Sequence, residues 1–181
     1  MKWVALFSQS GKELYYITRN VGICPDITLT NNSDTKTWYE DVAKIPRVGI
    51  MKTKDIHNTL LNKKPCIVTM HGYNRILPSE ITKIHQVFNG HPGDIIKYPE
   101  LKGKDPQEKA FNLKLPSSGT VIHRATEEVD GGDIHLFKRV DIDASWPLNV
   151  LCDHLRSASV DLWTIFMTDL LWQHRDTRGG I

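Results

Sequence analysis

Pro65-Cys66-Ile67-Val68-Thr69-Met70 decides the fold: a short, largely apolar run that reads as a strand buried on both faces of a sheet. Working outward, Trp3 to Ser8 is a second apolar run, ended by Gln9-Ser10-Gly11, and reads as the first strand entering a turn. Glu13 to Arg19 is helix-compatible, Asp26 to Thr30 alternates with β-formers, and Val48 to Met51 is a weaker strand. Asp34 is placed to cap a helix over Thr35 to Ala43, and Thr53 one whose apolar face is Ile56, Leu60 and Leu61. Beyond the opening run, Ile81 to His85 reads as helix and Val87-Phe88-Asn89 as a fifth strand. After a long loop, two β runs follow, Gly119 to Ala125 and Ile134 to Val140. Apolar residues at helical spacing fill Pro147 to Trp172, and Arg178-Gly179-Gly180 reads as a frayed end. Strands alternating with helices predict an α/β fold, a mostly parallel sheet with an antiparallel extension and a C-terminal helix. Ligands then belong at the carboxyl ends of the strands: Ser8 to Glu13, His71 to Arg75 and Asn89 to Pro92.

Composition narrows the function. The 181 residues suit one domain, 1–181. A net charge of +2 and the absence of any Lys/Arg run of five argue against a nucleic-acid partner. The basic stretch Lys97 to Lys109 is interrupted by Glu100, Asp105 and Glu108 and reads as a solvated loop. Cys24, Cys66 and Cys152 form no CxxC pair, so no zinc ribbon or disulfide framework is expected; Cys66 reads as a buried small hydrophobe. The first apolar run is too short for a signal peptide and no stretch approaches a membrane span, so a cytoplasmic chain without a membrane partner is expected. Neither a GxGxxG fingerprint nor P-loop spacing follows the first strand, which disfavours a dinucleotide cofactor.

The chemistry-bearing segment is Asn89-Gly90-His91-Pro92. It sets an amide and an imidazole two positions apart on an extended segment, so both lean to one side. A carboxylate, Asp130, stands before Gly131-Gly132 at a tight turn between two strands. A loop histidine alone is weak evidence; the two segments together are stronger.

Asn89-x-His91-Pro92, Lys97-Tyr98-Pro99, Gly119-Thr120-x-x-His123 and Asp130-Gly131-Gly132, with Gly72 to Pro78 before them, resemble the folate-dependent formyltransferases, and among these the glycinamide ribonucleotide branch. The resemblance implies a Rossmann-like sheet, 10-formyltetrahydrofolate as co-substrate, no metal, and direct formyl transfer to an amine. It implies Asn89, His91 and Asp130 as the catalytic trio. By the same resemblance Arg75, Ile76 and Leu77, with backbone from Glu127, Glu128 and Val129 to Asp130, line the pterin pocket, although Ile76 and Leu77 also suit plain core packing. Gly11, Lys12, Glu13 and His123 fall on its acceptor side; a histidine inside a β run is equally often a satisfied core residue. The expected partners are folate and a small amine, and a homodimer is an allowed assembly.

Departures bear on the acceptor. Gly11-Lys12-Glu13 replaces that branch's Gly-Ser-Asn, Ser159 falls where it carries glutamate, Gly93-Asp94-Ile95-Ile96 replaces Ser-Leu-Leu-Pro, and Asp133 replaces proline. The methionyl-tRNA relatives carry an added C-terminal domain and many sugar-nucleotide relatives are longer, so a small, phosphorylated or nucleotide-like acceptor is expected here; the deformylase relatives carry an extra N-terminal domain, which disfavours a hydrolase. Three other readings stay open: glycinamide ribonucleotide formyltransferase proper, a 10-formyltetrahydrofolate hydrolase, and a folate- or nucleotide-binding module without catalysis.

Overall fold

The computed structural model describes residues 2–176; the expected frayed end at Arg178 to Gly180 lies outside them. One sheet of seven strands runs in the order β3-β2-β1-β4-β5-β6-β7. The strands are β1 Trp3–Phe7, β2 Ile27–Thr30, β3 Val48–Ile50, β4 Ile67–His71, β5 Gln86–His91, β6 Ser117–Arg124 and β7 Ile134–Asp141. The first five are parallel; β6 and β7 join antiparallel. The expected sheet and its antiparallel extension are both present, with β4 beside β1 in the middle.

Burial on both faces follows from β1. Trp3, Ala5 and Phe7 pack with Leu14 and Ile17 of α1 (Lys12–Val21) and with Trp163, Phe166 and Met167 of α5 (Leu148–Asp176). The alternate residues Val4 and Leu6 pack with Ile56 and Leu60 of α2 (Thr53–Leu61) and Ile81 of α3 (Ser79–Ile84). Period-two alternation thus feeds two helical layers, which is why β1 is apolar throughout and the polar residues of β4, Thr69 and His71, are buried and hydrogen-bonded. Among the described residues no helix is long and apolar enough to cross a membrane.

Three local expectations are corrected. Thr35 to Ala43 is not one helix: Asp34 Oδ1 accepts the Lys36 N–H at 3.2 Å and caps only the 3-10 turn Thr35–Thr37. Trp38 then turns extended and its ring meets Phe7 edge-on at 5.5 Å, so aromatic packing overrides propensity. Thr53 begins α2 rather than capping it, and Leu61 is 40% exposed, leaving Ile56 and Leu60 as the buried face. The long loop after β5 contains a helix, α4 (Pro106–Asn112), whose signal was Pro106 at its first position.

Parallel pairing brings the carboxyl ends of three strands together. Phe7 lies opposite His71, and His71 opposite Gly90. The loops leaving β1 and β4 bond each other, Ser8 N–H to the Gly72 carbonyl at 3.2 Å and Asn74 N–H to Ser8 Oγ at 3.1 Å. The strand order reverses between β1 and β4, and a crevice opens there.

Candidate active site

The crevice is a cavity of about 870 Å³. Asn89, His91, His123 and Asp130 all line it. Antiparallel pairing of β5 with β6 sets Asn89 opposite His123. Trp163 reaches β5 from α5 only because residue 90 is glycine: a Cβ there would lie 2.4 Å from its Nε1. Asp130 comes from the β6–β7 turn, which closes over Arg124 so tightly that a Cβ on Gly132 would fall 1.9 Å from the Arg124 carbonyl oxygen. Asp130 itself is left-handed at φ 49°, a conformation aspartate tolerates better than most residues.

Asp130 is the hub. Its Oδ2 accepts the Gly103 N–H at 2.8 Å and faces His91 Nδ1 at 3.1 Å. Its Oδ1 accepts from Asn89 Nδ2 at 3.3 Å and faces His123 Nε2 at 3.2 Å. The carboxylate side chain is 7% exposed. Burial works against its charge, yet His123, His91 and the Gly103 N–H together hold it below the usual carboxylate range.

His91 is oriented from behind. Its Nε2 lies 2.8 Å from the Leu101 carbonyl; a carbonyl only accepts, so that nitrogen carries a proton. The Nδ1 contact with Asp130 is then attractive only when a second proton lies between them, since otherwise a lone pair faces a carboxylate. Burial pushes the imidazole below its ordinary value, while the Asp130 charge pulls it back up. Burial prevails, so the ring takes a second proton less readily than a free imidazole.

His123 repeats the pattern. Its Nδ1 donates to the Arg124 carbonyl at 2.9 Å, and its Nε2, 3.1 Å from Asn89 Nδ2 and 3.2 Å from Asp130 Oδ1, accepts from the amide when the ring is neutral and donates to the carboxylate when it is protonated. Both Asn89 N–H groups are thus turned onto Asp130 and His123. A ligand oxygen wanting an Asn89 donor must displace one of them, a restraint that the sequence did not reveal.

Around this hub the walls differ. Ile76 is 58% and Val129 47% exposed, and both line the cavity, so neither is core. Leu77 is buried and also reaches the lining, as do Arg75 and Glu128. Tyr73 adds a buried hydroxyl without a hydrogen-bond partner, its pKa pushed up to about 12 by burial. Gly11, Glu13 and Ser159 also line the cavity.

Lys12 and Glu127 are not among the lining residues. The Lys12 ammonium stands 5.6 Å from the Tyr39 ring centroid instead, because successive helix positions face different ways and Glu13 takes the inward one. Asp94 and Asp133 do not line it either: Asp94 Oδ2 accepts from Arg139 Nε at 2.7 Å, and the Asp133 carbonyl accepts the Arg124 N–H at 2.8 Å. Those two departures are structural. Unforeseen lining residues include Lys104, Gln107, Cys152 and Arg156. The strand-end rule had pointed to the segment starting at His71, and the resemblance had placed only Ser159 of α5 beside the acceptor. Among the described residues no group of three or more His, Cys, Asp or Glu side chains is arranged to hold a metal ion.

A family model described as formyl transferase matches residues 43–163. The methionyl-tRNA formyltransferase of Thermotoga neapolitana is 28% identical over 92 residues, which is 50% of this chain and 28% of that protein. The phosphoribosylglycinamide formyltransferases of Streptococcus pneumoniae TIGR4 and Bacillus halodurans superpose with TM-scores of 0.80 and 0.79. They cover 94% of this chain in each case, and 98% and 95% of their own, at 19% and 21% identity. At that identity the likeness is one of fold.

Proposed function

The chain belongs to the formyl transferase family, and from that premise we propose that it moves a formyl group from 10-formyltetrahydrofolate to the primary amine of a small, phosphorylated or nucleotide-like acceptor. The observation that carries the reading is the buried Asp130 carboxylate, held between His91, His123 and Asn89 at the mouths of β5 and β6. Attack of an amine on a formyl carbon forms a C–N bond and a tetrahedral oxyanion. The amine nitrogen must lose a proton, and the folate nitrogen must gain one as its bond to the formyl carbon breaks. An oxyanion needs hydrogen-bond donors, and Asn89 supplies one once the oxyanion displaces Asp130 or His123 from its amide. Asp130, through an intervening water, accepts the proton of the amine, and the same water relays it to the folate nitrogen as that nitrogen's bond to the formyl carbon breaks.

The cavity suits the co-substrate chemically. A flat pterin takes apolar walls and a few polar contacts, and Ile76 and Val129, both exposed among the described residues, supply such walls. Backbone beside Glu128 and Val129 supplies the polar edge. No other reading has an observation of its own: a hydrolase would use the same hub, and a binding module would have no need of it.

The test is release of tetrahydrofolate from 10-formyltetrahydrofolate, with and without a panel of small primary amines. Amine-dependent release with a formylated amine as product is expected. Release with formate alone would make the protein a hydrolase, and folate binding without release would make it a binding module.

A further inference from the structure

The end of the cavity nearest α1 is built around an anion of the protein's own. Its lining residues are Gln9, Ser10, Gly11, Glu13, His71 and Gly72, none of them Lys or Arg. Of the cavity's lining cations, Arg75 stands four residues beyond His71 on the loop leaving β4, and Lys104 and Arg156 stand on other segments. Gly11 caps α1 without any side-chain cap bond. Such a helix start, left open, would attract an anionic ligand. Here the first turn carries the Glu13 carboxylate instead.

That carboxylate is not a loose surface group. Glu13 Oε2 lies 3.2 Å from His71 Nδ1, with the glutamate side chain 21% and the histidine 0% exposed. His71 Nε2 lies 2.9 Å from Thr69 Oγ1, and Trp3 Nε1 donates to the same oxygen at 2.8 Å. Thr69 is fully buried and Trp3 nearly so. One arrangement uses every polar hydrogen once: Trp3 N–H to Thr69, Thr69 O–H to His71 Nε2, His71 Nδ1–H to Glu13. The His71 ring also packs on Trp163 at 4.5 Å between centroids. The relay runs from the sheet interior to the cavity wall and leaves the second carboxylate oxygen for a ligand.

We propose that Glu13, pinned by His71, makes the α1 end of the cavity a subsite for a hydrogen-bond-donating part of the acceptor, a hydroxyl or an ammonium, and bars a phosphate from it. The inference rests on the formyl-transfer reading and revises its acceptor: it drops the phosphorylated class and keeps an amine that presents hydroxyls at this end, as an amino sugar or amino nucleoside does. A fixed carboxylate in a partly enclosed site repels a second anion at short range, whereas donors gain a charge-assisted hydrogen bond.

The experiment compares matched amines that differ only by a phosphate, glucosamine with its 6-phosphate and a 3′-aminonucleoside with its 5′-phosphate, on the wild-type chain and on Glu13→Gln. Glutamine keeps an acceptor for His71 but no charge. The wild type is expected to favour the unphosphorylated member by about tenfold or more in kcat/KM, and Glu13→Gln to bring the ratio within about threefold of unity. A wild type that favours the phosphorylated members, or a ratio unmoved by Glu13→Gln, overturns the proposal.

A binding arm keeps the test decisive if no amine is formylated and the transfer reading itself has failed. The His71 imidazole nitrogen resonances are followed while inorganic phosphate or 2-amino-1,3-propanediol is added, with binding of a folate analogue as the check on an intact cavity. The aminodiol is expected to shift His71 in the wild type, and phosphate only in Glu13→Gln. Phosphate shifting His71 equally in both proteins overturns the proposal independently of catalysis.

Discussion

Two buried histidines bracket β5, and their second ring nitrogens separate them. His85, just before the strand, donates from Nε2 to the Leu60 carbonyl at 2.9 Å, and its Nδ1 accepts the Cys66 N–H at 3.2 Å. Both nitrogens meet neutral backbone, and the ring ties the end of α2 to the start of β4. His91, at the strand's far end, also donates from Nε2 to a carbonyl, but its Nδ1 meets a carboxylate. The neutral ring satisfies the first site completely; at the second it leaves a lone pair facing a carboxylate, and burial resists the proton that would relieve it. Burial is the same at 1% and 5% exposure, so depth alone distinguishes nothing. What a histidine can do chemically is read from the partner that its second nitrogen lacks.

The largest effect belongs to the hub. Asp130→Asn keeps the shape of the side chain and removes its charge, so formyl transfer should fall by about 100-fold or more, the range of a positioned acid–base group. Folate-analogue affinity measured alongside should stay near wild type, and melting should fall only by the modest share that the Asp130 charge contributes. Loss of folate-analogue affinity together with a large fall in melting temperature would make Asp130 a structural turn residue like its glycine neighbours.

A smaller effect is expected on acid stability. Asp130 is held below its ordinary value, so its stabilising share is full above the unfolded value of about 3.9 and is lost as pH falls through the native one. His91 is depressed as a base. Its share is full above about 6.5 and is lost below, because the unfolded chain takes the proton first. Denaturant titrations across pH should therefore show wild-type stability dropping on both limbs, and Asp130→Asn lacking the lower drop. Identical profiles would mean that Asp130 carries no native charge.

How much of this contrast was legible in sequence follows from range. β1, β4 and β5 could be read because each apolar run is local and its burial on two faces leaves no competing pattern. Asn89, His91 and Asp130 could be named because ordered motifs carry them. Thr35 to Ala43 misled because the cap was real and the aromatic packing of Trp38 on Phe7 is a long-range fact. Asp94 and Asp133 were read as acceptor-facing because pairing with Arg139 and Arg124 spans distant positions. The Trp3–Thr69–His71–Glu13 relay joins three separate elements, and only the sheet register reveals it.

The smallest effect is expected from Lys12→Ala. Its ammonium lies over Tyr39 and not along the cavity, so the acceptor KM should be unchanged and the loss of stability about 0.5–1 kcal/mol, as for an exposed cation–π contact. An acceptor KM raised severalfold would return Lys12 to the acceptor site.

The contrast between the two histidines is tested most directly by one paired measurement: single-turnover formyl transfer and melting temperature for His91→Ala and His85→Ala, side by side. The account predicts that His91→Ala slows transfer by about 100-fold or more with little change in melting. For His85→Ala it predicts near-normal transfer and a loss of about 1–3 kcal/mol, from a buried N–H and a carbonyl left without partners. If His91→Ala retains more than about a tenth of the wild-type rate, or if the two variants lose rate and stability together, the chemistry does not reside at the His91–Asp130 pair.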